Sequence, residues 1–570
     1  MLYNTIKDDK HISVECNPDF VKSTDVIIVG TGTAGAVAAI CAAEEGLDVI
    51  AVDKTTFPGG IAVASGVWAY YFGLHGGREE SLNNRALELI KNCGYADYSR
   101  AYYETNICIP SAPKCIAIEE ALTKKDYRLM LDSIITGVYT SDNTVEGLQL
   151  LTPNGIENIR CKTVIDSADG EVCRLAGCAL KEGRRHDNIT MRFSKCIAKA
   201  VGNKVMPVWA NFGYIDNLTP EEYSSEIMKA DSSFPCLVDS YGNDNCIIFE
   251  GSIICRREVR CVKTRNEYTL QDYFNNKPVN QPVCYTFSHM DNSNPDMENE
   301  DENVQNWQII INALTYGVIM GIDMDCLISK EYSNLFVAGK HIGVGHDFVG
   351  CIRMKADIEK IGEAAAMMAA VYTKNGSIDY ESLKPKLIKH NLLPSGFKAG
   401  IAALNHRDGD FYLRVSLPKT ADDINTSLSS QSPELALLYI KKHSDNSGIL
   451  SLLNDNLKSS DMIMRHNSAI ALGLIGIKEC MPILHEIISM PAYVLESSDF
   501  QPENYDWLNY TRHCNMVKAL CLIGRFDYTS CVDAVNAIIS DNAEAVTSGL
   551  TPEQKKAFKP QILAFAKKLI

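Results

Sequence analysis

The apolar and polar positions of residues 25–53, DVIIVGTGTAGAVAAICAAEEGLDVIAVD, change rhythm three times. Val26–Val29 is an unbroken apolar run, the pattern of a strand covered on both faces. Glycines interrupt it at 30, 32 and 35. Ala34–Ala43 then collects small apolar residues, as a helix pressed onto a sheet requires, and Gly46 sits where a helix C-cap is expected. A second apolar run ends in Asp53. The pattern recurs downstream, where Asn334–Gly339 reads as a short strand ending in glycine and Ile358–Ala370 as a helix of small residues. Between them, MRFSKCIAKAVG, CIIFEGSIICRREVRCVKT and QPVCYTFS carry the β-branched and apolar content of strands. The last third turns helical. RHNSAIALGLIGIKECMPILHEII at 465–488 and RHCNMVKALCLIGRFDYTSCVDAVNAII at 512–539 are similar to each other, Leu-Ile-Gly at 474–476 recurring at 522–524.

Each glycine of the first unit has a separate job. Gly30 permits a tight turn, Gly32 presents no side chain to an approaching pyrophosphate, and Gly35 lets the following helix pack closely on its strand. Thr33 and Ala34 open that helix, whose free N–H groups and partial positive charge favour an anion. Asp53 can accept hydrogen bonds from a ribose and would repel a 2′-phosphate, which argues against NADP. The alternative is a structural βαβ unit with an incidental glycine turn. Lys54 and the turn at Gly59-Gly60 follow directly, and a second glycine turn there suits an extended FAD better than NAD. The late strand and helix would return the chain to the nucleotide, with Gly339 near the flavin and Gly362, Ala365 and Ala366 against it.

Three separated blocks then resemble one family in order: residues 25–60 with their FPGG, VIDSADGEVCRLAG at 164–177, and NLFVAGKHIGVGHDFVGCIRM at 334–354. Residues 23–390 thereby resemble the FAD-dependent oxidoreductase family of glutathione-reductase-like flavoproteins, distantly related to the fumarate reductase flavoproteins. The resemblance implies FAD as cofactor, with Asp166 and Asp169 of the second block at its site, and no metal. Departures are visible. The second block is one residue short, Lys340 stands where Arg is usual, and Asp347 where Glu is usual. Lys lacks the planar fork of Arg.

The resemblance also sets His346, Asp347 and Arg353 beside the flavin ring as the catalytic candidates. His346 titrates near neutrality and can act as general acid or base. Arg353 can hold a carboxylate or a developing oxyanion. Asp347 can orient His346 or bind a substrate hydroxyl. The competing reading is a structural ion-pair cluster. His341, His75, Tyr70 and Tyr71 rank second.

Composition narrows the picture without redirecting it. With 570 residues there is room for two to four domains. A net charge of −16 gives no support for nucleic-acid or anionic-membrane binding. No apolar run approaches the roughly 20 residues of a membrane span, and the N-terminus lacks the core of a signal peptide. The 20 cysteines contain no CxxC pair and no metal-ligand spacing, so reduced buried thiols in a cytoplasmic protein are expected. Glu182–Arg185 and Arg256-Arg257 read as solvated surface or an anionic-substrate contact, and NSNPDMENEDEN at 292–303 as an exposed loop.

The expected fold class is α/β: a Rossmann-like FAD-binding domain, an inserted β-rich substrate domain and an all-α C-terminal repeat region. Its divisions are an arm at 1–22, FAD-binding parts at 23–178 and 326–390, the insertion at 179–325, a linker at 391–430 and a helical domain at 431–570. The two similar helical units resemble HEAT-like repeats, stacking with a helix near 432–442 and capped by 550–570. The expected activity is hydride transfer between flavin and a small organic substrate: a sugar-like alcohol or ketone, or a carboxylate. Two alternatives stand beside it. One is a fumarate-reductase-like reductase of an activated carbon–carbon double bond. The other is a flavin-stabilised interaction protein working through 431–570, a region also open to self-association.

Overall fold

The computed structural model describes residues 1–570 apart from 71, 72, 75, 93–107, 125–127, 202, 203, 217, 233–244, 291, 293, 312–315, 405–411 and 496–513. Its largest sheet opens with a hairpin, β1 (Leu2–Lys7) and β2 (Lys10–Glu15), formed by the N-terminal arm. It continues with β3 (Lys22–Val29), β4 (Val49–Val52), β5 (Arg128–Met130), β6 (Ile134–Ser141), β7 (Thr144–Thr152) and β8 (Gly155–Asp166). The order is β2-β1-β6-β7-β8-β3-β4-β5, and a late strand, Leu335–Val337, adds to β8. The strands β3, β4, β5 and the end of β8 run parallel, as the apolar runs predict.

The helix α1 (Thr33–Glu44) covers this sheet, with every residue from Ala34 to Ala43 buried. It is apolar all round because it is sandwiched. Its outer face meets the helix α3 (Lys355–Asn375), and Gly362 makes that approach possible: a Cβ there would lie 2.9 Å from Ala34 Cα. Between them in sequence stands α2 (Glu302–Ile310).

Three smaller sheets follow. β9 (Leu180–Lys181) pairs with β13 (Cys261–Val262), and β10 (Ser194–Val201) lies between β11 (Lys204–Asn211) and β12 (Asn245–Glu250), all antiparallel. The fourth sheet orders β14 (Pro282–Ser288), β15 (Tyr316–Asp323), β17 (Gly400–Leu404) and β18 (Tyr412–Arg414), the late strand of the main sheet being β16. Residues 400–404 and 412–414, expected in a linker, are therefore strands that complete a sheet begun more than a hundred residues earlier.

From Ala421 the described chain is helical to Lys568. Met462–Leu474 and Met481–Ile488 form one helical pair, Asn515–Ile523 and Val532–Ser540 another. Their shared Leu-Ile-Gly does not repeat in conformation. Gly476 is left-handed at φ +80°, whereas Gly524 stays right-handed at φ −60°. Only the first demands glycine. Among the described residues no helix is long and apolar enough to cross a membrane.

Candidate functional site

Register brings the three sequence blocks to one place. Val29 is opposite Val52 on one side and Asp166 on the other, and Asp166 is opposite Val337. The loops that begin at Gly30, Asp53, Ser167 and Ala338 therefore leave the same carboxyl edge of the parallel strands, the edge at which open α/β sheets bind ligands.

At that edge the glycines allow close backbone packing. Gly30 adopts φ +87° and packs so tightly on the β8 loop that a Cβ would come within 2.8 Å of the Ser167 carbonyl carbon. At Gly35 a Cβ would collide with Gly30 O and lie 2.9 Å from Gly30 C. At Gly32, by contrast, a Cβ would meet only Gly60 Cα, at 3.7 Å. Gly60 faces it at φ +49°, and the two turns are tied by Gly59 N–H donating to Thr31 O at 2.8 Å. No side chain caps α1, and the first N–H of its ladder is that of Ala36, donating to Gly32 O at 3.0 Å. The amides of Thr33, Ala34 and Gly35 precede the ladder and face the gap, so this cradle suits the pyrophosphate of FAD.

Other expected cofactor residues are placed differently. Asp53 is engaged by protein: Thr31 N–H and Oγ donate to one carboxylate oxygen, Thr55 N–H and Oγ to the other at 2.8 and 2.7 Å. Those four bonds fill its acceptor sites, so Asp53 clamps the two glycine turns rather than presenting free oxygens to a ribose. Lys54 is exposed. Asp166 is fully buried and accepts from Ala168 N–H and Cys173 N–H, both at 3.0 Å, fixing the loop after β8. Asp169 is exposed at φ +56°. Gly362 faces α1, and Gly339 adopts φ +148° where β16 ends, 3.0 Å from the His341 ring by its ideal Cβ.

His346 lies in the loop after β16 and is clamped. Its Nδ1 is 2.9 Å from Glu258 and its Nε2 is 2.9 Å from Glu300. Burial opposes the charge, yet the two carboxylates outweigh it and hold the imidazole pKa well above its ordinary value. Burial pushes Glu258 up; Glu300 is also buried, but His346 holds it below the usual range. Arg184, 1 % exposed, backs the cluster, 3.7 Å from Glu300 and 2.7 Å from Asp296. Asp347 does not orient His346. It accepts from Asn303 Nδ2 at 3.0 Å, and burial raises its pKa. Arg353 is half-buried two residues ahead of α3.

A cavity of about 10 Å³ adjoins His346 and Asp347, walled by Met191, Met290, Asn292 and Trp307. Asn292 Nδ2 and Trp307 Nε1 are buried there without a hydrogen-bond partner. Its size admits one water.

One arm of the clamp, Glu300, and its backing Arg184 came from segments expected at the surface. Asn292, Asn294 and Glu300 of the acidic run are buried, as is Arg184. The acids are neutralised by Arg184 and His346, partners too distant in sequence for local composition to reveal. A second buried set was also missed. Lys355, first in α3, packs its ammonium 3.8 Å over the Tyr70 ring, donates to Val67 O, and is pushed down to about 7 by burial. Glu359 accepts from Tyr70 at 3.0 Å and pairs with Lys114 at 2.9 Å. Asp357 accepts from Leu74 N–H and Phe287 N–H, each at 3.0 Å. The signal was present as charged residues at 355, 357, 359, 360 and 363 in an otherwise apolar helix. Of the second-rank candidates, His341 is buried with Nε2 3.0 Å from Asp166 O, Tyr70 is buried, and Tyr71 and His75 lie outside the described residues. Among the described residues no cluster of three or more His, Cys, Asp or Glu could hold a metal ion.

No curated protein sequence matches the chain. Solved structures resemble it distantly. A geranylgeranyl bacteriochlorophyll reductase-like protein from Thermoplasma acidophilum is 13 % identical over 78 % of this chain and 98 % of its own, with a TM-score of 0.33. The OxyS anhydrotetracycline hydroxylase of Streptomyces rimosus is 12 % identical over 80 % of this chain and 76 % of its own, with a TM-score of 0.34. The p-nitrophenol 4-monooxygenase PnpA of Pseudomonas putida is 10 % identical over 80 % and 100 %, with a TM-score of 0.34. The model of the family described as FAD dependent oxidoreductase matches residues 25–234 and 238–392, and the chain belongs to that family, an FAD-dependent oxidoreductase.

Proposed function

We propose that this enzyme transfers a hydride between FAD and a small organic substrate, a sugar-like alcohol or ketone, or a carboxylate. One observation supports the reading: the glycine turn and the loop that leads to His346–Arg353 start from the same sheet edge. When bound, FAD supplies the ring that takes up or gives back the hydride. The protein must then hold the substrate and manage one proton. Both ring nitrogens of His346 are taken up by Glu258 and Glu300, so the residue acts through its positive charge, which favours a substrate carboxylate or a developing oxyanion, and not by passing a proton. Asp347, its pKa raised by burial, is the neighbouring group suited to accept one. Arg353 binds the substrate carboxylate or oxyanion.

The same reading takes the FAD-binding parts as glutathione-reductase-like, with residues 179–325 as the substrate unit between them and a protein in the cytoplasm. The helical pairs at 462–488 and 515–540 support a HEAT-like arrangement by their order, and the differing conformations of Gly476 and Gly524 argue for a degenerate repeat. The test is the absorption spectrum of the purified protein before and after acid precipitation, followed by anaerobic titration with polyols, keto sugars and unsaturated acids. A released flavin bleached by a polyol supports the proposal. Turnover confined to unsaturated acids with reduced flavin would replace it by double-bond reduction.

A further inference from the structure

The C-terminal helices meet the candidate site at one short helix, α2, among other contacts. On its inner side, Glu300, just ahead of the first turn, meets His346 at 2.9 Å, and Asn303 donates to Asp347 at 3.0 Å. Val304, Trp307 and Gln308 of the same helix line the small cavity. On its outer side, Arg525 donates to Asn306 Oδ1 at 2.6 Å and lies 3.5 Å from Glu302, while Cys521 Sγ donates to Gln305 Oε1 at 3.4 Å. Lys568 donates to the Glu298 carbonyl and, at 3.3 Å, to Asn299 Oδ1. Positions 302, 305 and 306 share one helix face; 303, 304 and 307 share another. The helix thus has one face for the C-terminal region and one for the His346 cluster.

We propose that Arg525 and Lys568 are positioning residues, through which the C-terminal helices hold residues 297–306 in the register that brings Glu300 to His346 and Asn303 to Asp347. The catalytic consequence rests on the function proposed above; the positioning itself does not. Arg525 suits the task because its fork spans one face of the helix, Nη1 reaching Asn306 and Glu302 while Nη2 donates to Gln305 Oε1 at 3.5 Å. Lys568 pins the backbone at Glu298, two residues before Glu300. Both come from the far end of the chain, whereas other contacts dock the region independently. Lys442 packs 3.7 Å over the Tyr273 ring, and Asn276 Nδ2 donates to Lys442 O at 2.9 Å. Loss of Arg525 alone therefore leaves the helices attached while removing the tie to the outer face of α2. A displacement of about 1 Å at reacting groups is enough to cost on the order of 100-fold in rate.

The test follows His346 in the full-length FAD-bound protein, with histidines labelled at Cε1 and its line assigned by loss in His346→Gln. Glu258 and Glu300 face the ring directly, Arg184 stands behind Glu300, and Asp347 is adjacent. Wild-type His346 is expected to remain an imidazolium from pH 6 to 8. In Arg525→Ala its titration midpoint should fall by about 1–3 pH units, the effect of a retreating carboxylate. Arg525→Lys, which keeps the charge but not the fork, should restore only part of the shift, and Lys568→Ala should move the midpoint the same way by less. A destabilised but correctly positioned site would not change this midpoint. Should Arg525→Ala fail to fold, Lys568→Ala carries the test alone. An unmoved His346 midpoint in every Ala variant that folds would overturn the proposal. A moved midpoint with unchanged rates of flavin bleaching by an accepted polyol would support positioning while removing His346 from the proposed mechanism.

Discussion

Gly32 and Gly35 lie one helical turn apart at the start of α1, and replacing each by alanine should have different consequences. At Gly35 the new methyl would stand 2.9 Å from Gly30 C and 3.0 Å from Ser167 Cβ. The methyl would also collide with the Gly30 carbonyl oxygen, for which ordinary contact begins at ~3.2 Å, so the Gly30 turn must retreat by roughly 1 Å or more. Its neighbours are backbone atoms fixed by two strand ends, so the strain cannot be relieved by a rotamer change. Gly35→Ala should therefore cost about 1–3 kcal/mol of stability, and FAD binding with it. At Gly32 the methyl would meet only Gly60 Cα, at 3.7 Å, and φ is −71°. The folded protein accepts it, at no more than about 1 kcal/mol for the poorer N-cap. The methyl would instead occupy the gap assigned to the pyrophosphate. Losing one charge-assisted hydrogen bond there forfeits about 1.5–3 kcal/mol, or roughly 10–150-fold in Kd. Urea denaturation of the flavin-stripped protein and FAD titration by flavin fluorescence measure the two quantities separately. A Gly32→Ala protein that binds FAD like the wild type would refute the assignment of this cradle. A Gly35→Ala protein as stable as the wild type would refute the packing argument.

Three further outcomes follow from the buried charges. Asp357→Asn should lose about 2–3 kcal/mol in urea, since the amide replaces an acceptor that holds Leu74 and Phe287 N–H groups; a loss under ~0.5 kcal/mol would contradict it. Lys355, pushed down to about 7, binds fewer protons folded than unfolded between about pH 7 and 10, so this group makes stability rise with pH in that window. The wild type should gain on Lys355→Met by about 1.4 kcal/mol per pH unit from 7 to 9, and an unchanged difference would show the ammonium to be solvated. The raised pKa of His346 has the opposite sign: its contribution is complete below about pH 6.5 and declines above it. The advantage of wild type over His346→Gln should accordingly shrink between pH 6.5 and 9, read by denaturation at each pH.

The sequence by itself determined the parallel core and the cofactor class. Val26–Val29, Gly30, Gly35 and the small residues of α1 leave few structural options, because each local preference agrees with its neighbours within thirty residues. The late strand and helix could be assigned for the same reason. Tertiary structure alone decided what the charged residues do. Asp53 is spent on Thr31 and Thr55, and His346 is held by Glu258 and Glu300 rather than Asp347. Arg184 and Glu300 look solvated in isolation, yet fold inward because each finds an opposite charge supplied by a distant segment, Asp296 for Arg184 and His346 for Glu300. Burial of a charge depends on that pairing, and pairing across 46 or 88 residues leaves no periodic trace in a single sequence. The same holds for Arg525 and Lys568, whose role is visible only once the C-terminal helices are laid against α2.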